Sequence, residues 1–105
     1  MFRVFTTEEF DRQFKNLDKS ESEAVRKILN KLREQGGSVG KPLRVSYFRE
    51  KKFGGKRLYF LSYEDFMVVL AVAISNKKEQ QKVIDRIISD IDSYKDLIIR
   101  KLKEI

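Results

Sequence analysis

The spacing of apolar residues changes period several times along this chain, and each change marks an element. Phe2 to Phe5 is a short aromatic and β-branched run, the composition of a strand. Thr6 with Glu9 then fits a capping box, with Thr7 as the alternative cap. Phe10, Phe14 and Leu17 fall on one stripe of the helix that follows, and Asp18-Lys19 interrupts it. Ser20 with Glu23 reads as a second capping box, opening a helix with Val25, Ile28, Leu29 and Leu32 at helical spacing. Gly36-Gly37 ends it. Two helices with so short a break form a helical hairpin.

From Val39 the period becomes two. Pro42, the single proline, stands at the mouth of a strand, where its missing N–H does least harm. Leu43 to Phe53 alternates, with Val45, Tyr47 and Arg49 on one side and Ser46, Phe48 and Glu50 on the other. Gly54-Gly55 supplies the positive φ angles of a tight hairpin turn, and Lys56 to Tyr63 returns. Glu64-Asp65 makes a second turn. Phe66 to Ile74 (FMVVLAVAI) is apolar throughout, which predicts a central strand covered on both faces, or on one face with a ligand at the other.

Asn76 with Glu79 is a third capping box, and the rest of the chain is helical in pattern. Ile84, Ile87, Ile91, Tyr94, Ile98, Leu102 and Ile105 recur every three or four residues. One helix of that span is about 40 Å long, more than a core of this size needs. Either it breaks near Asp92-Ser93, where Ser93 with Asp96 forms another capping pair, or its distal seam meets a partner or a second copy of the chain. If it meets neither, it folds back on the first two helices. The order is β-α-α-β-β-β-α. It is an α+β domain over residues 1–105, with an N-terminal strand and helical hairpin, an antiparallel three-strand meander and a long C-terminal helix.

Composition narrows the chemistry. The 105 residues are 41% hydrophobic and 37% charged, enough for a modest core beneath a very polar surface. Lys and Arg number 23 against 16 Asp and Glu, so the net charge is +7 and polyanionic partners are favoured. The chain has no Cys and no His. Disulfides, thiolate nucleophiles, zinc sites of the usual kind and imidazole catalysis are therefore excluded. Acid–base work falls to carboxylates, Lys, Tyr or water. The N-terminus lacks the apolar run of a signal peptide, and no apolar stretch is long enough to span a bilayer. The expectation is a cytoplasmic protein without a membrane partner.

The densest chemistry lies in FREKKFGGKRLYF, Phe48 to Phe60, where five cations and four aromatics flank the glycine pair. A β-α-α-β-β-β-α order around such a basic hairpin resembles the RelE/ParE toxin superfamily, most closely its HigB-like (Gp49-like) branch. The matching features are Phe48-Arg49, the Gly54-Gly55 turn, Arg57 opening the next strand, the strand VVLAVAIS, and Lys77-Lys78 followed by Gln80 and Gln81. The resemblance covers nearly the whole chain. It implies the toxin of a type II toxin–antitoxin pair, neutralised by a cognate antitoxin. Many relatives cut messenger RNA on the ribosome without metal or cofactor. Others, of the ParE kind, inhibit gyrase without nuclease activity, and a third possibility is a binding member of the fold with no toxicity.

In the nuclease relatives the 2′-OH attacks the adjacent phosphate, and negative charge gathers on the phosphoryl oxygens. Fixed cations aimed at that charge lower the barrier, and the planar fork of Arg grips two phosphate oxygens at once. The resemblance assigns that role to Arg57, with Arg49 across the hairpin and Lys78 after the central strand as further catalytic candidates. Lys51, Lys52, Lys56 and Lys77 become RNA-backbone contacts. Tyr59 joins them as a base-stacking residue, with Tyr47, Phe48 and Phe53 as other stacking candidates. Active relatives commonly carry a Tyr or His near the chain end to activate the 2′-OH. Here Ile84 stands six residues after Lys78, where some relatives keep the Tyr. The proton acceptor is then Tyr59, Tyr63 or Tyr94, or Glu50 if its strand face turns inward.

Overall fold

The computed structural model of the chain describes Met1–Glu104. Its elements are β1 (Arg3–Thr6), α1 (Glu8–Lys15), α2 (Lys19–Gln35), β2 (Lys41–Pro42), β3 (Phe48–Phe53), β4 (Lys56–Tyr63), β5 (Val68–Asn76), α3 (Gln80–Ser89) and α4 (Ile91–Lys103). The strands form one sheet in the order β1-β5-β4-β3-β2. β3, β4 and β5 are the expected antiparallel meander, β1 joins β5 in parallel, and the two-residue β2 pairs along the outer edge of β3. Pro42 lies in β2, on a sheet edge, where proline is tolerated.

β5 is buried on both faces, as its unbroken apolar run requires. Phe10, Val25, Ile28 and Leu32 of α1 and α2 cover one face, against Leu58, Phe60, Val69 and Ala71. Ile84, Ile87 and Ile98 of α3 and α4 cover the other, against Phe48, Leu61, Leu70 and Val72. Tyr94 and Leu102 pack into this second cluster. Of the C-terminal seam, Ile98 is buried against the far face of the sheet rather than against the first two helices, and Tyr94 and Leu102 are half-buried there. Ile105, the last position of that seam, lies outside the described residues.

Several boundaries differ from the sequence reading, each for a local reason. Thr7, not Thr6, caps α1. Its hydroxyl accepts from the Phe10 N–H at 3.0 Å and donates to the Val72 carbonyl at 2.6 Å. Thr6 is taken by its pairing with Ala71. α2 starts earlier than Ser20, because Asp18 and Glu21 form the reciprocal capping box. β3 begins at Phe48 rather than Leu43. Leu43 N–H bonds the Phe48 carbonyl and Phe48 N–H bonds that of Val45, which folds the intervening residues into a turn. β5 begins at Val68, because the turn after β4 runs on through Phe66 and Met67. The long C-terminal helix breaks, but at Asp90 rather than Asp92-Ser93. The Asp90 N–H bonds the Arg86 and Ile87 carbonyls and closes α3. Among the described residues, no helix is long and apolar enough to cross a membrane.

Candidate functional site

The β3–β4 hairpin is tight because Gly54 takes a positive φ of 57°, the conformation that the first central position of a two-residue hairpin demands of glycine. The turn fixes the register behind it. Glu50 stands opposite Tyr59 and Lys52 opposite Arg57, while Arg57 also faces Ser75 on β5. Strand alternation therefore places Glu50, Lys52, Arg57, Tyr59 and Ser75 on the face covered by α3 and α4.

Arg57 is only 6% exposed and Glu50 1%. The Arg57 Nε lies 3.8 Å from Glu50 Oε1, beyond hydrogen-bond reach, and has no partner among the described residues. The Glu50 carboxylate has better company. Gln80, the first residue of α3, donates Nε2 to both its oxygens, at 3.0 and 3.4 Å, and Lys41 Nζ approaches to 3.7 Å. A guanidinium is thus held almost out of water with its donors incompletely used. The bond from Gln80 also ties α3, and the Lys77-Lys78 turn that precedes it, to the hairpin. A shallow pocket of about 310 Å³ opens beside this cluster, lined by Gly40, Lys41, Glu50, Lys51 and Lys52.

Arg49 is not part of this group. It pairs with Phe60, on the face covered by α1 and α2, so the two arginines lie on opposite sides of the sheet rather than together across the hairpin. Its guanidinium donates to the carbonyls of Val39 at 2.9 Å, Gly40 at 3.0 Å and Ser46 at 3.3 Å. Arg49 braces the loop that presents Lys41. Gly40 completes the brace. Its φ is 71°, and a Cβ there would lie 2.3 Å from the Glu50 carbonyl oxygen. We expect Gly40→Ala to cost about 2–3 kcal/mol in chemical denaturation, from a left-handed backbone and a backbone collision together. An unchanged midpoint would show that the loop relaxes freely.

The lysines divide. Lys77 and Lys78 are exposed in the turn between β5 and α3, before the helix and not in its first turn. The Asn76 side chain closes that turn by accepting from the Glu79 N–H at 2.9 Å. Lys52 is exposed and Lys51 half-buried. Lys56 is engaged by Glu21 of α2 at 3.2 Å.

The stacking candidates mostly fail by burial. Tyr59 and Phe48 are wholly buried and Phe53 nearly so. The Tyr59 hydroxyl is 2.8 Å from that of Ser75. Tyr47 is 38% exposed but lines a different pocket. Burial also makes the tyrosines poorer proton acceptors. Burial pushes the Tyr59 phenol above its ordinary value, against the pull of the Ser75 hydrogen bond. Burial does the same to Tyr63 and Tyr94. At neutral pH all three keep their protons. Glu50 does turn inward. Lys41, Ser75 and the contact made by Gln80 were not singled out by sequence. Gln80 stood only in the motif, and its reach across 30 positions to Glu50 leaves no local signal.

No protein-family model and no curated protein matches the sequence. Solved structures do. The isolated RelE toxin of Escherichia coli is similar with a TM-score of 0.66 and 17% identity, over 83% of this chain and 99% of that one. The RelBE2 toxin–antitoxin complex of Mycobacterium tuberculosis gives 0.62 and 22%, over 72% and 98%. The archaeal RelE–RelB complex of Pyrococcus horikoshii gives 0.53 and 14%, over 72% and 94%. The HigB-like branch is a finer assignment than likeness at such identities carries. What these structures share with the present chain is the fold, and that fold is the one of the RelE toxins.

Proposed function

We propose that residues 1–105 act as a single RelE/ParE-like domain, the toxin of a type II toxin–antitoxin pair of the HigB-like kind. In this reading it cleaves messenger RNA on the ribosome, in the cytoplasm, without a metal. The observation that carries the reading is Arg57. A guanidinium fixed beside Glu50, set in the fold of the RelE toxins and with exposed lysines at the same end of the sheet, has the chemistry of a phosphate clamp. Fixed in a poorly hydrated site, its charge acts on the phosphoryl oxygens more strongly than it would in water.

The remaining roles follow from placement. Lys41, Lys51 and Lys52 line the approach, and Lys77 and Lys78 stand at the same end of the sheet, as sequence-independent contacts to the RNA backbone. Lys78 stays a candidate for charge stabilisation beside Arg57. Glu50 is the proton acceptor for the 2′-OH, the one carboxylate against Arg57 once the tyrosines are set aside. Arg49 contributes by holding the Lys41 loop. The partner that restrains the toxin is a cognate antitoxin, as RelB is found with RelE in the complexes above.

The test is induced expression in bacteria with mapping of transcript ends. We expect growth arrest with new ends inside translated regions. Arg57→Lys keeps the charge and loses the fork, so we expect cleavage to fall by about 100-fold, with the far-ultraviolet spectrum unchanged. Cleavage undiminished in Arg57→Lys would remove Arg57 from the chemistry. Arrest with intact transcripts would instead support a toxin acting on a protein such as gyrase. Free expression without arrest would support a binding member of the fold.

A further inference from the structure

The far end of the sheet carries a second site, built from different chemistry. Only four large apolar residues are exposed among those described, and three of them, Tyr47, Phe66 and Met67, lie near the β4–β5 turn. Tyr47, Tyr63 and Phe66 form a chain of tilted rings, with centroids 6.1 and 6.5 Å apart. They line a pocket of about 300 Å³ whose other walls include Glu64, Asp65 and Lys95.

Four details show that this site is constructed. The Glu64 carboxylate is fixed in place, because its Oε1 accepts from the Gly37 N–H and from the Ser62 hydroxyl, each at 3.2 Å. Gly37 makes room for it, since a Cβ at that position would lie 2.4 Å from Oε1. Met67 closes the turn in the left-handed region at φ 54°, the only non-glycine residue with a positive φ among those described. A bulky side chain pays strain to stand there. In addition, the Tyr63 hydroxyl is buried and without a hydrogen-bond partner among the described residues.

We propose that this pocket receives a cationic side chain, above all an arginine, from a protein partner. Aromatic faces attract a cation through their quadrupoles, and a planar guanidinium also stacks on them. The two carboxylates place negative charge at the mouth, on a chain whose net charge is +7. Lys95 offsets one of them and leaves the lining net negative. That sign repels a phosphate backbone, so the site is not an extension of the basic hairpin. Because Glu64 is already held, ordering it costs the complex nothing further. The inference is independent of whether the basic end cuts RNA.

The test is a titration of the isotopically labelled chain with the tripeptide acetyl-Gly-Arg-Gly-amide, followed by amide shifts. The same peptide with citrulline, of equal shape and no charge, is the comparison, and adenosine monophosphate is a second ligand. We expect saturable shifts confined to Tyr47 and to positions 62–66 with the arginine peptide. Citrulline should bind several-fold more weakly, and the nucleotide should not bind there. Tyr47→Ala and Phe66→Ala, both at exposed rings, should each weaken binding about threefold, and Asp65→Asn should weaken it at low salt. Equal binding of the citrulline peptide, nucleotide binding at these positions, or no saturable shift at positions 47 and 62–66 would each overturn the proposal.

Discussion

Glu50→Met should destabilise the protein by about 3–5 kcal/mol, and Arg57→Met by less, although the two side chains form one buried pair. Removing one member of such a pair leaves an uncompensated charge in a poorly hydrated place. The two orphans differ in what still faces them. The Glu50 carboxylate left by Arg57→Met keeps the bond from Gln80 and the approach of Lys41. A lone guanidinium cannot shed its charge, and the Arg57 Nε already lacks a partner. The double variant, which buries neither charge, should lie closer to the parent than Glu50→Met does. Urea denaturation of the four proteins closes the cycle. Equal losses in the two single variants, or simple additivity in the double, would show that the pair is not coupled.

This asymmetry explains what could and could not be read from the chain. The alternation of Phe48 to Phe53, the glycine pair and the apolar run of β5 are local signals, and they fixed the meander and its hairpin. Alternation along β4 sets Arg57 on the face of Tyr59 and Leu61. The same alternation puts Arg49 on the other face, yet seven intervening residues and a turn suggested proximity. Facing direction is a matter of parity, and parity outranks distance along the chain. The helix starts slipped by one or two residues because Thr6 and Thr7, or Asp18 and Ser20, are nearly equal as caps. The choice fell to tertiary bonds such as that from Thr7 to Val72. The burial of Arg57 was invisible for another reason. An arginine at a strand start beside a turn is usually solvated, and the bond from Gln80 to Glu50 that closes this cluster spans 30 positions. The likeness to RelE toxins supplied what periodicity lacks, a reason to look at this cluster first.

The core on the opposite face sets the rigidity of the hairpin, and Phe60 is its most sensitive point. Its ring is fully buried among residues of α1 and α2. Its cross-strand neighbours are Arg49, whose side chain is bonded to the Val39–Gly40 loop, and Ala71, beside the irregularity that leaves Val72 unpaired in the β4–β5 register. Ala71 is too small to move into the space a missing ring would leave, and Arg49 is held away from it. The site therefore collapses poorly, and Phe60→Ala should fall at the upper end of the usual range, about 4–5 kcal/mol. For a chain of this length that is a large share of a total of roughly 5–15 kcal/mol, and Tm should drop by about 16–30 °C. Phe60→Leu keeps most of the volume and should lose less than half as much. Calorimetry of the two variants decides. A loss below about 1 kcal/mol for Phe60→Ala would mean that α1 and α2 do not close over β4. The hairpin would then lack the backing that holds Arg57 against Glu50.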